Sequence, residues 1–191
     1  ELFEPVVSHG TTMLIARYAR AYLDLNRAID ELDPNMFNGA LDGLQVKTNS
    51  RVKAGLGVVP RIIGEGMAIY DDKIPARDAV KRLQTVYMPY HQQLGDLIKA
   101  RKEQFGAAVL IDCHSMPSGP ELHKRGQEQP DIILGDCWGA SCMRELTSLA
   151  ERLFLTAGFK VRRNVPYAGG FVTRHYGQPD RGQHALQIEV N

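Results

Sequence analysis

The chain carries an unbroken apolar run, Ala107-Ala108-Val109-Leu110-Ile111, that leads directly into Asp112-Cys113-His114-Ser115-Met116-Pro117. A run of this length and kind reads as a strand buried on both faces of a parallel sheet. Asp131-Ile132-Ile133-Leu134-Gly135 reads as a second. Around these runs the pattern is helical. Ala76–Tyr87 has Ala79, Val80, Leu83 and Val86 at helical spacing, and Met88-Pro89 interrupts it. A further helix follows, with Tyr90, Leu94, Leu97 and Ile98 on one face, and Gly106 ends it. Ser141 stands where it could cap a helix running to about Ala157, with Met143, Leu146, Leu149, Ala150, Leu153 and Phe154 as its buried stripe. Phe159-Lys160-Val161 starts the next strand, Gly169-Gly170 marks a tight loop before residues 171–176, and His184–Val190 is the last strand. Such alternation predicts an α/β fold, a three-layer α/β/α sandwich with a mixed, mostly parallel central sheet. Active sites in these folds gather beyond the C-terminal ends of the strands.

The N-terminal third is less periodic. Thr12–Arg20 reads as a helix, or a helix leading into a strand, and Ala21–Leu25 as a short strand that delivers Asp24-Leu25-Asn26-Arg27. From Ala28 to about Gly57 the chain is rich in Asp, Asn, Gly and Pro, the composition of a long surface excursion or lid. A length of 191 residues fits one domain, and both ends read as cut, since the chain opens at Glu1 without methionine and stops after a strand-like run. With 23 basic and 22 acidic residues the net charge is +1, which provides no footprint for nucleic acid or an anionic membrane. No apolar run is long enough to span a bilayer. Cys113, Cys137 and Cys142 are an odd, sparse set that reads as reduced thiols in a cytoplasmic protein.

Four segments set polar groups where apolar strands stop. Asp112 and His114 form the first: neutral imidazole is the commonest metal ligand, and a nearby carboxylate fixes its tautomer through the other ring nitrogen. A capped strand end with a hydrogen-bonded His and Asp is the bland alternative. In the second, alternation puts Gln187, Glu189 and Asn191 opposite Leu186, Ile188 and Val190. Glu189 is costly to bury unless paired, although a solvated edge strand would also account for it. The third is Arg20, Asp24, Asn26 and Arg27: a guanidinium fork grips a carboxylate and Asn adds a neutral donor, while an Asp24 ion pair with either arginine is the commoner outcome. The fourth is Asn164-Val165-Pro166-Tyr167-Ala168-Gly169-Gly170 with Arg174. The paired glycines permit close approach of backbone to a ligand, and Tyr167 or Arg174 could hold an oxyanion or a carboxylate. His91 reads as a surface or capping residue. His9, His123, His175 and His184 have no supporting context, and His123 reads as exposed. Neither Ser115, Ser141 nor Cys113 lies in a nucleophile signature, so nucleophilic catalysis is disfavoured.

Taken together, Arg20 to Arg27, Pro89-Tyr90-His91, Leu110 to Ser118, Asp131 to Gly135, Asn164 to Gly170 and His184 to Asn191 resemble the N-formylglutamate amidohydrolase family. That family is similar in turn to zinc carboxypeptidases, with their zinc exopeptidase-like fold. The resemblance implies that His114 ligates a single Zn2+, with a His and an acidic ligand upstream of the region matching Glu1. It implies that Asn26 and Arg27 bind a substrate carboxylate and that Glu189 is general base and acid. The implied reaction is hydrolysis of N-formyl-L-glutamate, a small acidic N-acyl amino acid, to formate and glutamate in histidine breakdown. Alternatives are another N-acyl amino-acid amidohydrolase, a carboxypeptidase-like peptidase, or a metal-free domain that kept the fold.

Overall fold

In the computed structural model, which describes residues 2–41, 43–63, 66–118 and 129–191, the chain folds as two units, Glu1–Leu94 and Gly95–Asn191. His123 lies outside the described residues.

The first unit has little regular structure, for local reasons. Glu4–His9 is a 3-10 turn ended by Gly10 in the left-handed region at φ 84°. The helix expected over 12–20 does not form, and Ile15 and Tyr18 are exposed. A helix this short persists in water only when an apolar face is buried, and none of these residues is fully buried. Residues 21–25 do not form the expected strand either. The chain is already turning where Tyr22 N–H donates to Ala19 O at 2.9 Å. The Asp24 carboxylate then accepts from Asn26 N–H at 3.0 Å, a local turn that competes with strand pairing. The stretch expected as a surface excursion is partly anchored, because Leu32, Met36, Phe37 and Val52 are buried. Within it, β1 (Phe37–Asn38) pairs in parallel with β2 (Ile74–Pro75). The short α1 (Ser50–Lys53) is capped by Asn49, whose side chain accepts from Val52 N–H at 2.9 Å.

Residue 89 was expected to break the long helix and instead widens it. Helix α2 (Ala76–Arg82) passes through a π turn, Leu83–Tyr87, into α3 (Met88–Phe105). Proline has no N–H and its ring crowds the carbonyl four residues back. A π turn immediately before Pro89 absorbs that misfit without ending the helix.

The second unit holds β3 (Ala108–Ser115), β4 (Ile132–Gly135), β5 (Val161–Arg163) and β6 (Gln183–Val190) in one sheet of order β3-β6-β4-β5. The β3–β6 and β4–β5 pairs are parallel and β4–β6 is antiparallel, so the sheet is mixed and mostly parallel, as the sequence predicts. Helix α4 (Arg144–Thr156) lays Leu146, Ala150 and Phe154 on a core of Ile132, Leu134, Leu186 and Ile188. Burial of each such large aliphatic side chain contributes about 1.5–3 kcal/mol. Helix α5 (Phe171–Tyr176) lies on the other face, against β3 and β6.

Three expectations need correction here. Strand β3 is not buried on both faces: it is an edge of this sheet, and Val109 and Ile111 are 52% and 40% exposed. The α4 stripe is narrower than its sequence pattern, with Met143, Leu149 and Leu153 exposed. Ser141 does not cap α4, because its Oγ–H donates to Ala185 O at 2.9 Å. The helix starts after Met143, whose N–H donates to Nδ1 of the buried His184 at 3.4 Å.

Candidate active site

Register brings the two strongest sequence candidates together. In the parallel β3–β6 pair His114 stands opposite Glu189 and Asp112 opposite Gln187, so all four side chains share one face near the C-terminal ends of both strands. Asp112 Oδ1 lies 2.9 Å from His114 Nε2. A carboxylate offers only acceptors, so this contact puts a proton on Nε2, and the neutral form of the ring then carries its lone pair on Nδ1. Glu189 is 6% exposed, and Gln187 Nε2–H donates to its Oε1 at 2.8 Å. That charge-assisted bond offsets part of the cost of burying the carboxylate.

The segment 164–170 is held over this part of the sheet by glycines. A Cβ at Gly135 would lie 2.8 Å from the Ala168 carbonyl carbon, so only glycine lets the segment cross β4. At Gly169, φ is 131° and a Cβ would meet Cys137 Sγ at 2.6 Å. The close approach that the sequence suggested toward a ligand is, at Gly169, an approach to the protein's own interior. Tyr167, in this segment, is half-buried. Burial raises its phenol pKa, and the charge of Glu189 raises it further, which keeps the hydroxyl protonated and able to donate. Arg174 is exposed, donates from Nη2 to Gly169 O at 2.6 Å, and lines a cavity of about 290 Å3 with Cys137, Trp138, Ala140, Ser141 and Ala168. Cys113 projects from the opposite face of β3 to His114. Desolvation and then the Asp112 carboxylate push its thiol up to about 11, the reverse of an activated nucleophile.

The first unit holds its own cluster. Arg20 makes a bidentate pair with Asp24, at 3.2 Å from Nε to Oδ1 and 2.8 Å from Nη2 to Oδ2. This is the structural ion pair that the sequence left open. Arg27 sits 3.8 Å from Asp24, and its fork donates to Leu56 O and Asn26 O at 3.0 Å each. Burial lowers the Arg27 pKa, with Asp24 opposing the shift. The backbone carrying these residues is pinned by two aromatic side chains: Tyr87 O–H donates to Arg27 O at 2.8 Å, and His91 Nε2 lies 3.0 Å from Leu25 O. His91 therefore has a scaffolding contact that its sequence context did not reveal. The cue was its pairing with Tyr87 one helical turn earlier, where the rings lie 4.2 Å apart.

Among the described residues no group of three or more His, Cys, Asp or Glu could hold a metal ion. The donor chemistry of His114, with Nε2 tied to a carboxylate and the lone pair on Nδ1, suits one ligand position.

A mixed, mostly parallel sheet flanked by helices defines an α/β protein, and its adjacent strand ends carry a carboxylate-held imidazole and a buried glutamate. The N-formylglutamate amidohydrolase family model matches residues 1–191, and the chain belongs to that family. It is 32% identical over 184 residues to an N-formylglutamate deformylase of Pseudomonas aeruginosa, covering 95% of this chain and 63% of that protein. It is 32% identical over 193 residues to an N-formylglutamate deformylase of Pseudomonas putida, covering 100% and 66%. Among solved structures it is similar to N-formylglutamate amidohydrolase from Ralstonia eutropha JMP134, with a TM-score of 0.83, 29% identity, and coverage of 90% of this chain and 62% of that one. The chain thus spans somewhat under two thirds of the length of these relatives.

Proposed function

We propose that the protein hydrolyses the amide bond of N-formyl-L-glutamate, releasing formate and L-glutamate. The observation that carries this reading is the register pairing of His114 with Glu189 on one face at the strand ends. It occurs in a chain that matches the family along its whole length. His114 would offer Nδ1 as one ligand of a divalent metal, zinc in this reading, and Asp112 orients the ring. When bound, the metal supplies Lewis-acid activation of water and of the amide carbonyl.

Glu189 takes a proton from the attacking water as the new C–O bond forms at the formyl carbon. It returns that proton to the leaving nitrogen as the C–N bond breaks, so the carboxylate ends the cycle as it began. Tyr167, kept neutral, donates a hydrogen bond toward the developing oxyanion. Asn26 and Arg27 bind a carboxylate of the glutamate half. The three cysteines are unpaired, in keeping with a reducing cytoplasmic setting for a step of histidine breakdown.

The pair should fail in two different ways in the intact protein. His114→Ala is expected to lose metal and activity together. Glu189→Gln is expected to retain fold and metal while turnover falls by roughly 10²–10⁴-fold, the range of general acid–base catalysis. Metal analysis alongside assays on formylglutamate and other N-acyl amino acids checks both. Full activity in Glu189→Gln ends the mechanism, and better turnover of another N-acyl amino acid moves the substrate.

A further inference from the structure

The proposed chemistry leaves unused a line of buried side chains that joins the two arms of the site. Gln187 donates from Nε2 to Glu189 Oε1 at 2.8 Å, and its own Oε1 accepts from Gly170 N–H at 2.8 Å. Thr173 Oγ1 lies 3.4 Å from Gln187 Oε1 and 3.3 Å from Asp112 Oδ2. The other Asp112 oxygen holds His114 Nε2. Gln187 is 4% exposed and Thr173 is 0% exposed, so neither bond is exchanged freely with solvent.

The orientation of the Gln187 amide follows from donor and acceptor logic. Gly170 N–H can only donate, so the amide oxygen must face it and the NH2 must face Glu189. A flipped amide would set N–H against N–H and a carbonyl against a carboxylate. Thr173 has one hydroxyl proton between two acceptors, of which the carboxylate is the stronger.

We infer that Gln187 is a positioning residue for Glu189, and that Thr173 braces it against the Asp112–His114 arm. This rests on the proposed function for the role of Glu189. A proton carrier must hold its oxygen within a fraction of an ångström of the productive place, and a carboxylate free to rotate on its strand loses that advantage. The Gln187 bond fixes one carboxylate oxygen and so fixes where the other points. Because Gln187 and Glu189 are alternate residues of β6, the strand itself sets their spacing.

The test uses the intact protein with N-formyl-L-glutamate. Gln187→Met keeps the length of the side chain and removes the N–H. It is expected to lower kcat by roughly 10–100-fold, the usual loss for a supporting hydrogen bond, with KM and metal content little changed. Thr173→Val should follow in the same direction, and Thr173→Ser should keep most of the activity. In a Glu189→Ala background Gln187→Met should cost nothing further, since residues acting as a unit are not additive. A full multiplicative loss there overturns the inference. The link is also readable without turnover. One Gln187 side-chain amide proton should sit downfield in the NMR spectrum and move back in Glu189→Ala. A resonance that does not respond overturns the inference whatever the activity. A parent protein that leaves formylglutamate uncleaved while showing that response defeats the proposed substrate and supports the link.

Discussion

Arg27 already spends two of its donors on the backbone carbonyls of Leu56 and Asn26, and that determines what its replacement does. Lysine keeps the charge and loses the planar fork, so it can neither grip a carboxylate in bidentate fashion nor hold both carbonyls. Arg27→Lys is therefore expected to raise KM for the proposed acidic substrate by roughly tenfold or more, with kcat and metal content little changed, the mark of a contact equally strong in ground and transition states. The lost backbone bonds should lower stability by about 1 kcal/mol in urea denaturation. Steady-state kinetics check the first effect, and unchanged kinetics in both Arg27→Lys and Arg27→Ala would remove the residue from the site. At this scale the contact of Asp112 with His114 was legible, because alternate residues of a strand share a face. Thr173 was not, because it reaches the site from a helix whose docking no local pattern records.

Among the elements, the crossing of segment 164–170 over β4 is decided by one missing side chain. A methyl at Gly135 would sit 2.8 Å from the Ala168 carbonyl carbon, a distance that forces backbone to move. Gly135→Ala is expected to destabilise the protein by about 1–3 kcal/mol, the usual cost of overpacking. It should also lower kcat, since Gly170 N–H would be displaced from Gln187. Denaturation and kinetics measured on the same variant check both, and parent-like values in each would show that the segment can yield. The π turn before Pro89 belongs to the same scale. The sequence located the irregularity, and the structure shows the helix widening there rather than stopping.

For the molecule as a whole, charge is nearly balanced at +1, so the proposed binding of an acidic substrate rests on local groups rather than on a steering field. Global stability still carries a signature of the site. Burial, and then Glu189, raise the Tyr167 pKa in the folded protein above its unfolded value near 10. An acid raised in this way leaves stability intact below its unfolded pKa. Above that value the unfolded chain ionises first, so stability is lost as pH rises from about 10 through the raised folded value. Tyr167→Phe should therefore lose less stability than the parent over that alkaline window. Denaturant titrations at stepped pH measure it, and parallel curves for the two proteins would count against the environment described for Tyr167.

Hydrophobic patterning by itself determined the class of fold, the existence of strands β3, β4 and β6, and the placing of His114 and Glu189 at strand ends, because a strand's period of two and a helix's of 3.6 are written in the order of residues. It overstated burial in β3 and α4, since period alone does not say which neighbour covers a face. It also misread residues 12–20, none of whose apolar positions is fully buried, and 21–25, where turn chemistry at Asp24 outweighed weak periodicity. Only tertiary structure decided that β6 would lie between β3 and β4, which sets His114 opposite Glu189. The same packing brought Thr173 and Gly170 onto Gln187 from an element distant in sequence. Those contacts depend on strand order and helix docking, which are settled by burying surface between distant segments and leave no periodic trace in any one of them.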